Sequence, residues 1–144
     1  MKWSFDKPDI VVPYDFSDES HAAVEVALEL ASDASRVHVV HILPDLLSAA
    51  EPAVIWDAID EKKRREHVLE SLRERLSDLK AKDVELHVEI GSPAPHIAAV
   101  AERVGAGLIV LPSHGRTGLK RLMLGSVAEG VVRLAHCPVM VLKS

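Results

Sequence analysis

Residues 97–112, IAAVAERVGAGLIVLP, join a helical pattern directly to a buried strand. Gly105 follows the helical part and can end it in the left-handed conformation. The run over 107–112 is apolar at its centre, which is typical of a parallel strand buried on both faces. One face of the helix repeats at i, i+3, i+4 and i+7 through Ile97, Val100, Ala101 and Val104. The stretch predicts a helix–strand unit of an α/β sheet.

The same alternation of strand and helix patterns runs along the whole chain. Strands are predicted for the apolar runs Asp9 to Pro13, Arg36 to Leu43, Val84 to Ile90, Gly107 to Pro112 and Pro138 to Leu142. A second amphipathic helix is predicted from the stripe Val24, Ala27, Leu28 and Ala31. A third, within 53–80, is predicted from Leu69, Leu72, Leu76 and Leu79. The fold class expected is α/β, a five-stranded parallel sheet with right-handed crossovers and helices on both faces.

The strand types predict the order of the sheet. In the third strand, apolar residues alternate with Glu85, His87 and Glu89, so that strand has one wet face and is expected at an edge. The first and fourth strands are apolar throughout and are expected at the centre. The order 3-2-1-4-5 satisfies both conditions. It places a switch point between strands 1 and 4, where open α/β sheets bind ligands at the carboxyl ends of their strands.

Length, composition and charge limit the class of protein. The 144 residues predict a single domain over 1–144, and 48% hydrophobic with 27% charged residues is typical of a packed globule. The net charge of −5 argues against broad attraction to nucleic acid or to an anionic membrane. The start of the chain has no signal-peptide pattern, and no apolar run approaches the roughly 20 residues of a membrane span. A cytoplasmic protein is expected.

A Gly-rich loop follows the fourth strand. Gly115, Gly118 and Gly125 are three of the seven glycines in the chain, and Gly125-Ser126 stands where the last helix should begin. Free N–H groups and the positive end of the helix could bind a phosphate there, with Arg116, Lys120 and Arg121 neutralising its charge. The alternative is that the glycines only turn the chain and Ser126 only caps the helix. The spacing matches neither a Walker loop nor the Rossmann fingerprint.

Several segments resemble the universal stress protein family. The stretch from Ser113 to Glu129, followed by His136 to Val141, is similar to the C-terminal signature of that family. Pro13 to Ser17, His41-Ile42 and Gly91-Ser92-Pro93 also resemble its members. The resemblance therefore covers nearly the whole chain, and it implies the same α/β fold.

The resemblance implies an adenine nucleotide, ATP with Mg²⁺, as the ligand. In ATP-binding members the signature is Gly, two residues, Gly, nine residues and then Gly-Ser or Gly-Thr. Gly115 and Gly125-Ser126 match, whereas Pro112 stands at the first Gly and lacks its N–H. Pro13, Asp15 and Ile42 would hold the adenine side, and Gly115, Gly125, Ser126 and Val127 the phosphates. His114 would contact ribose or phosphate, or else lie exposed to solvent. The site expected from the two loops also includes Tyr14, Pro112, Ser113, Arg116 and Gly118.

The resemblance favours a nucleotide-binding regulatory protein with at most slow ATP hydrolysis or autophosphorylation. The alternative is a nucleotide-free dimeric interaction module of the stress response. The last strand, Val139-Met140-Val141-Leu142, is apolar on both faces at a sheet edge, so a homodimer through strand 5 is expected, as the family also implies. No metal site is expected, because His38 and His41 point to opposite faces of their strand.

Overall fold

The sheet has five parallel strands. The computed structural model describes residues 8–45, 60–114 and 123–143. The strands are β1 (Ile10–Pro13), β2 (Val37–Leu43), β3 (Glu85–Ile90), β4 (Leu108–Pro112) and β5 (Val139–Leu142). Their order is β3-β2-β1-β4-β5 and every pairing is parallel, which confirms the predicted fold and order.

Helices pack on both faces of the sheet, as predicted. They are α1 (Asp18–Leu30), α2 (Glu61–Arg75), α3 (Pro93–Arg103) and α4 (Ser126–Leu134), with a short 3₁₀ turn at Ala34–Arg36. Alternate residues of β1 divide the core: Ile10 and Val12 pack with α1 and α2, and Val11 packs with α3 and α4. None of the described helices is long and apolar enough to cross a membrane.

Two helix ends in the described chain illustrate the local chemistry. The side chain of Ser17 accepts the Ser20 N–H and caps α1, whose first turn carries Asp18 and Glu19. Gly105 follows α3 with φ +67°, the left-handed conformation predicted for it.

The stripe predicted for α2 extends past the end of that helix. The helix ends at Arg75 with Leu76 as its C-cap, so Leu79 lies beyond it. Both the N–H and the hydroxyl of Ser77 bond to the Glu74 carbonyl, at 3.2 and 2.6 Å. This local bonding competes with continuation of the helix. Leu79 nevertheless packs against the core, which explains why it continued the apolar stripe.

Candidate functional site

A cavity of about 300 Å³ opens where β1 and β4 lie side by side, at the carboxyl ends of the strands. Ten of the thirteen predicted site residues lie in the described chain, and all ten line this cavity. They are Pro13, Tyr14, Asp15, Ile42, Pro112, Ser113, His114, Gly125, Ser126 and Val127. Gly115, Arg116 and Gly118 lie outside the described residues, as do Lys120 and Arg121.

The β1 wall of the cavity is held by bonds to β2 and α1. The Tyr14 N–H donates to the Val40 carbonyl at 2.8 Å, and His41 Nδ1 lies 2.7 Å from the Tyr14 carbonyl. Because a carbonyl only accepts, that His41 nitrogen carries the proton. Asp15 Oδ1 accepts the Ser17 N–H at 3.0 Å, which orients the carboxylate at the rim of the site.

The Tyr14 hydroxyl is bonded within the core beside α1. It lies 3.0 Å from His21 Nδ1, and His21 Nε2 lies 3.3 Å from Asp78 Oδ2. Burial raises the pKa of Tyr14, because a phenolate would lose its hydration there. The hydroxyl is therefore bonded to protein groups, and Tyr14 lines the cavity with its backbone and ring.

The opposite wall joins the end of β4 to the start of α4. The Gly125 N–H donates to the Ser113 carbonyl at 2.8 Å, and the Ser113 N–H donates to the Leu142 carbonyl at 2.9 Å. A Cβ at Gly125 would lie 2.9 Å from the Ser113 carbonyl oxygen, so this approach requires glycine. The expectation of a free N–H at Gly125 was wrong, because the carbonyl of Ser113 in the same chain accepts it.

The first turn of α4 supplies the free donors. Gly125, not Ser126, is the N-cap, so the alternative in which Ser126 caps the helix was wrong. The Glu129 N–H donates to the Gly125 carbonyl at 2.9 Å and begins the helical ladder. The N–H groups of Ser126, Val127 and Ala128 precede it and have no intrahelical acceptor. All three residues line the cavity, where the helix presents its positive end.

His114 is buried, with 8% of its surface exposed, so the solvent-exposed alternative was wrong. Its Nε2 bonds to the Met123 carbonyl, and its Nδ1 lies 3.2 Å from Ser113 Oγ. Both ring nitrogens therefore have protein partners. The ring lies between the end of β4 and the segment that enters α4.

Seven lining residues were not in the predicted set. Ser20, His41, Pro93 and Ala128 lie on α1, β2, α3 and α4, and the others are the apolar residues Val40, Ile97 and Leu111. His41 and Pro93 belong to segments whose family resemblance was noted, which was the signal available for them. The apolar residues read as ordinary core, and only the three-dimensional packing brings them to the cavity.

The described residues contain no cluster of three or more side chains that could hold a metal ion. His38 Nδ1 lies 3.0 Å from His87 Nε2, whereas His41 bonds to Tyr14, so the two histidines of β2 have different partners. Burial raises the pKa of the Cys137 thiol, which disfavours a reactive thiolate.

Comparisons with known proteins agree with this architecture. The profile of the universal stress protein family matches residues 8–143. Universal stress protein MJ0531 of Methanocaldococcus jannaschii is 38% identical over 142 residues, covering 93% of this chain and 81% of that protein. The solved structure of protein MJ0577 of the same organism superposes with a TM-score of 0.74 at 26% identity, covering 96% of each chain.

A universal stress protein solved in complex with cAMP superposes with a TM-score of 0.67 at 23% identity, covering 96% of this chain and 100% of that one. At that identity the likeness concerns the fold. The family profile spans all the described residues, and MJ0531 supports it by sequence. This chain therefore belongs to the universal stress protein family.

Proposed function

We propose that this protein is a cytoplasmic regulatory protein that binds an adenine nucleotide, ATP, in the cavity between β1 and β4. The observation that carries the proposal is convergence: ten predicted residues, from β1, β2, β4 and α4 and the turns beside them, line one cavity of about 300 Å³. That volume is at the lower end of the range for small-molecule sites. Nucleotide occupancy would then change the contacts of the protein with a partner.

The two ends of the cavity have different chemistry. Pro13, Val40 and Ile42 provide apolar surface against which an adenine ring can pack. Asp15, held by the Ser17 N–H, can accept a hydrogen bond from the base or the ribose. At the other end, the first turn of α4 offers backbone donors and a positive helix end to phosphate oxygens.

A bound Mg²⁺ would neutralise phosphate charge and would take most of its ligands from phosphate oxygens and water. Asp15 is the one carboxylate among the described lining residues, and its Oδ1 already accepts the Ser17 N–H. We expect at most slow hydrolysis, as the family resemblance implies. The relative solved with cAMP supports the proposal only in that this fold can hold a nucleotide.

The test is ligand-dependent thermal stability. ATP with Mg²⁺ at 100 times its Kd should stabilise the folded protein by about 2.7 kcal/mol, because the unfolded chain has no cavity. For a chain of 144 residues this corresponds to a rise in Tm of about 5–10 °C. GTP and adenosine serve as comparison ligands for base and phosphate recognition.

A pair of tryptophan variants makes the test specific for the cavity. Ile42→Trp should fill the adenine end and abolish the ATP-dependent rise in Tm. Leu30→Trp, at an exposed site on α1 away from the cavity, should retain it. If native protein shows no rise at millimolar ATP, the nucleotide-free interaction module is the better function. An ATP response that survives in Ile42→Trp would place the site elsewhere.

A further inference from the structure

The end of β4 and the start of α4 are joined by two consecutive bonds. In the first, the Gly125 N–H donates to the Ser113 carbonyl at 2.8 Å. In the second, the His114 side chain reaches the Met123 carbonyl through Nε2. One bond is entirely backbone, whereas the other depends on a single side chain. The backbone bond requires glycine at position 125, because a Cβ there would lie 2.9 Å from the Ser113 oxygen.

The protonation of the His114 ring follows from its partners. The Met123 carbonyl only accepts, so Nε2 carries the proton. In the singly protonated ring, Nδ1 then accepts from the Ser113 hydroxyl, 3.2 Å away. Burying an imidazole is favourable only when its polar atoms are satisfied, and here both are satisfied by the protein. The ring has no nitrogen left over for a phosphate or ribose oxygen.

We propose that His114 is a positioning residue: it fixes the first turn of α4 against the end of β4 and so aims the N–H groups of Ser126–Ala128 at the ligand. This rests on the proposed nucleotide site. His114 acts through the Met123 carbonyl and does not itself touch the ligand. Met123 precedes Gly125 by two residues, so holding its carbonyl also fixes the entry angle of the helix. Phosphate recognition therefore depends on a residue that makes no phosphate contact.

Three substitutions of His114 test the roles of its two ring nitrogens one at a time. His114→Gln can place an amide N–H near the position of Nε2, His114→Asn can match only Nδ1, and His114→Phe keeps the ring shape with no donor. Binding of ATP and of adenosine is measured by calorimetry for each. In His114→Phe and His114→Asn we expect ATP to bind about tenfold or more weakly, as for loss of an aligned hydrogen bond. Adenosine affinity should change by less than about threefold, since adenosine has no phosphate to be aimed at. His114→Gln should recover most of the ATP affinity.

Measurements on ligand-free protein distinguish positioning from direct contact. Hydrogen exchange at the Gly125 amide, which reports its bond to Ser113, should accelerate in His114→Phe and stay near native in His114→Gln. Nitrogen-15 spectra of the native imidazole should give the Nε2–H tautomer, and ATP should leave it unchanged. If His114 contacts the ligand directly, His114→Phe should bind ATP more weakly while exchange at the Gly125 amide stays native. Alternatively, the nitrogen-15 signals of the native ring should shift when ATP binds. Either result overturns the proposal, as does native ATP affinity in His114→Phe.

Failure of the nucleotide site itself would give a different pattern. If native protein binds neither ATP nor adenosine, the proposed function fails, but the exchange measurement still tests the link between His114 and α4. Accelerated exchange at Gly125 in His114→Phe would then support His114 as the residue that holds α4. Unchanged exchange would refute that role as well.

Discussion

At the scale of single residues, the polar atoms of the cavity that already bond to other protein groups are not available to a ligand. The Gly125 N–H bonds to Ser113, and the Tyr14 hydroxyl bonds to His21. Substituting Gly125 by Val is a poor test of ligand binding, because the new Cβ would meet the Ser113 carbonyl and disturb the fold first. The first N–H groups of α4 are better targets.

Position 126 allows one backbone donor to be removed with little effect on the helix. Ser126 is the first residue of α4, where proline is well tolerated, and Gly125 has φ −60° and ψ 155°, as a residue before proline requires. Ser126→Pro should therefore fold normally but bind ATP about 10–100 times more weakly, because one charge-assisted N–H bond to phosphate is lost. Isothermal calorimetry measures the change.

Ser126→Ala is the matched control, since it removes the hydroxyl and keeps the N–H. If alanine weakens binding as much as proline does, the hydroxyl is the important group. If proline leaves ATP binding at the native level, the N-terminus of α4 does not bind the phosphates.

At the scale of elements, the β2–β3 pair contains a contact that should respond to pH. His38 Nδ1 lies 3.0 Å from His87 Nε2, and a hydrogen bond between two imidazoles requires one of these nitrogens to be unprotonated. The charged groups around the pair are Asp9 beside His38, Arg103 of α3, and Glu85 and Glu89 of β3. Burial is the main cause that lowers the pKa of His87, followed by the neighbouring His38.

The direction of the pH effect follows from this shift. As the pH falls through the ordinary histidine pKa of about 6.5, the unfolded chain takes up a proton at His87 before the folded protein does. The contribution of His87 to the free energy of unfolding should therefore decrease from pH 7.5 to 5.5. Urea titrations of native protein and His87→Gln should give a smaller decrease for the variant, which cannot titrate.

His67→Gln, at an exposed position of α2, is measured in parallel as the comparison variant, and His87→Gln should reduce the pH dependence more than it does. If the free energy of unfolding depends on pH equally in native protein and His87→Gln, His87 is not a source of the pH dependence. Asp33, whose pKa is lowered by its bonds to Ser35, titrates well below this range and does not contribute.

At the scale of the whole molecule, the two sheet edges differ in protection. The β3 edge carries Glu85, His87 and Glu89, and charged side chains discourage pairing with another chain. The β5 edge carries Val139, Met140, Val141 and Leu142, with only Pro138 and Lys143 beside it. Met140 is 36% exposed on this strand. We propose that β5 pairs antiparallel with β5 of a second copy in a twofold homodimer.

Met140→Lys should convert that dimer into a monomer while helix content stays unchanged, because a charge would be buried in the shared strand pair. Multi-angle light scattering at micromolar concentration measures the oligomeric state, and circular dichroism measures the helix content. Val132→Lys, on the exposed face of α4, should remain dimeric. A monomeric native protein, or a dimer unaffected by Met140→Lys, would refute this interface.

The sequence by itself determined the order of the sheet and predicted where a ligand site should lie. Ile10–Pro13 and Leu108–Pro112 are apolar throughout and were expected at the centre, and Glu85–Ile90 has one polar face and was expected at an edge. The order β3-β2-β1-β4-β5 satisfies both expectations, whereas the apolar strand β5 lies at the other edge. The order then places the switch point beside the Gly-rich loop. The inference of the sheet order succeeded because apolar periodicity depends on neighbouring residues in the chain.

Only the tertiary structure decided which donors remain for a ligand. The Gly125 N–H bonds to Ser113, the Tyr14 hydroxyl bonds to His21, and His114 bonds to Met123. Each bond depends on two atoms approaching within hydrogen-bonding distance. The His21–Asp78 contact that completes the Tyr14 chain joins residues 57 positions apart. No local pattern specifies such distances, because they are set by how helices and strands pack against one another.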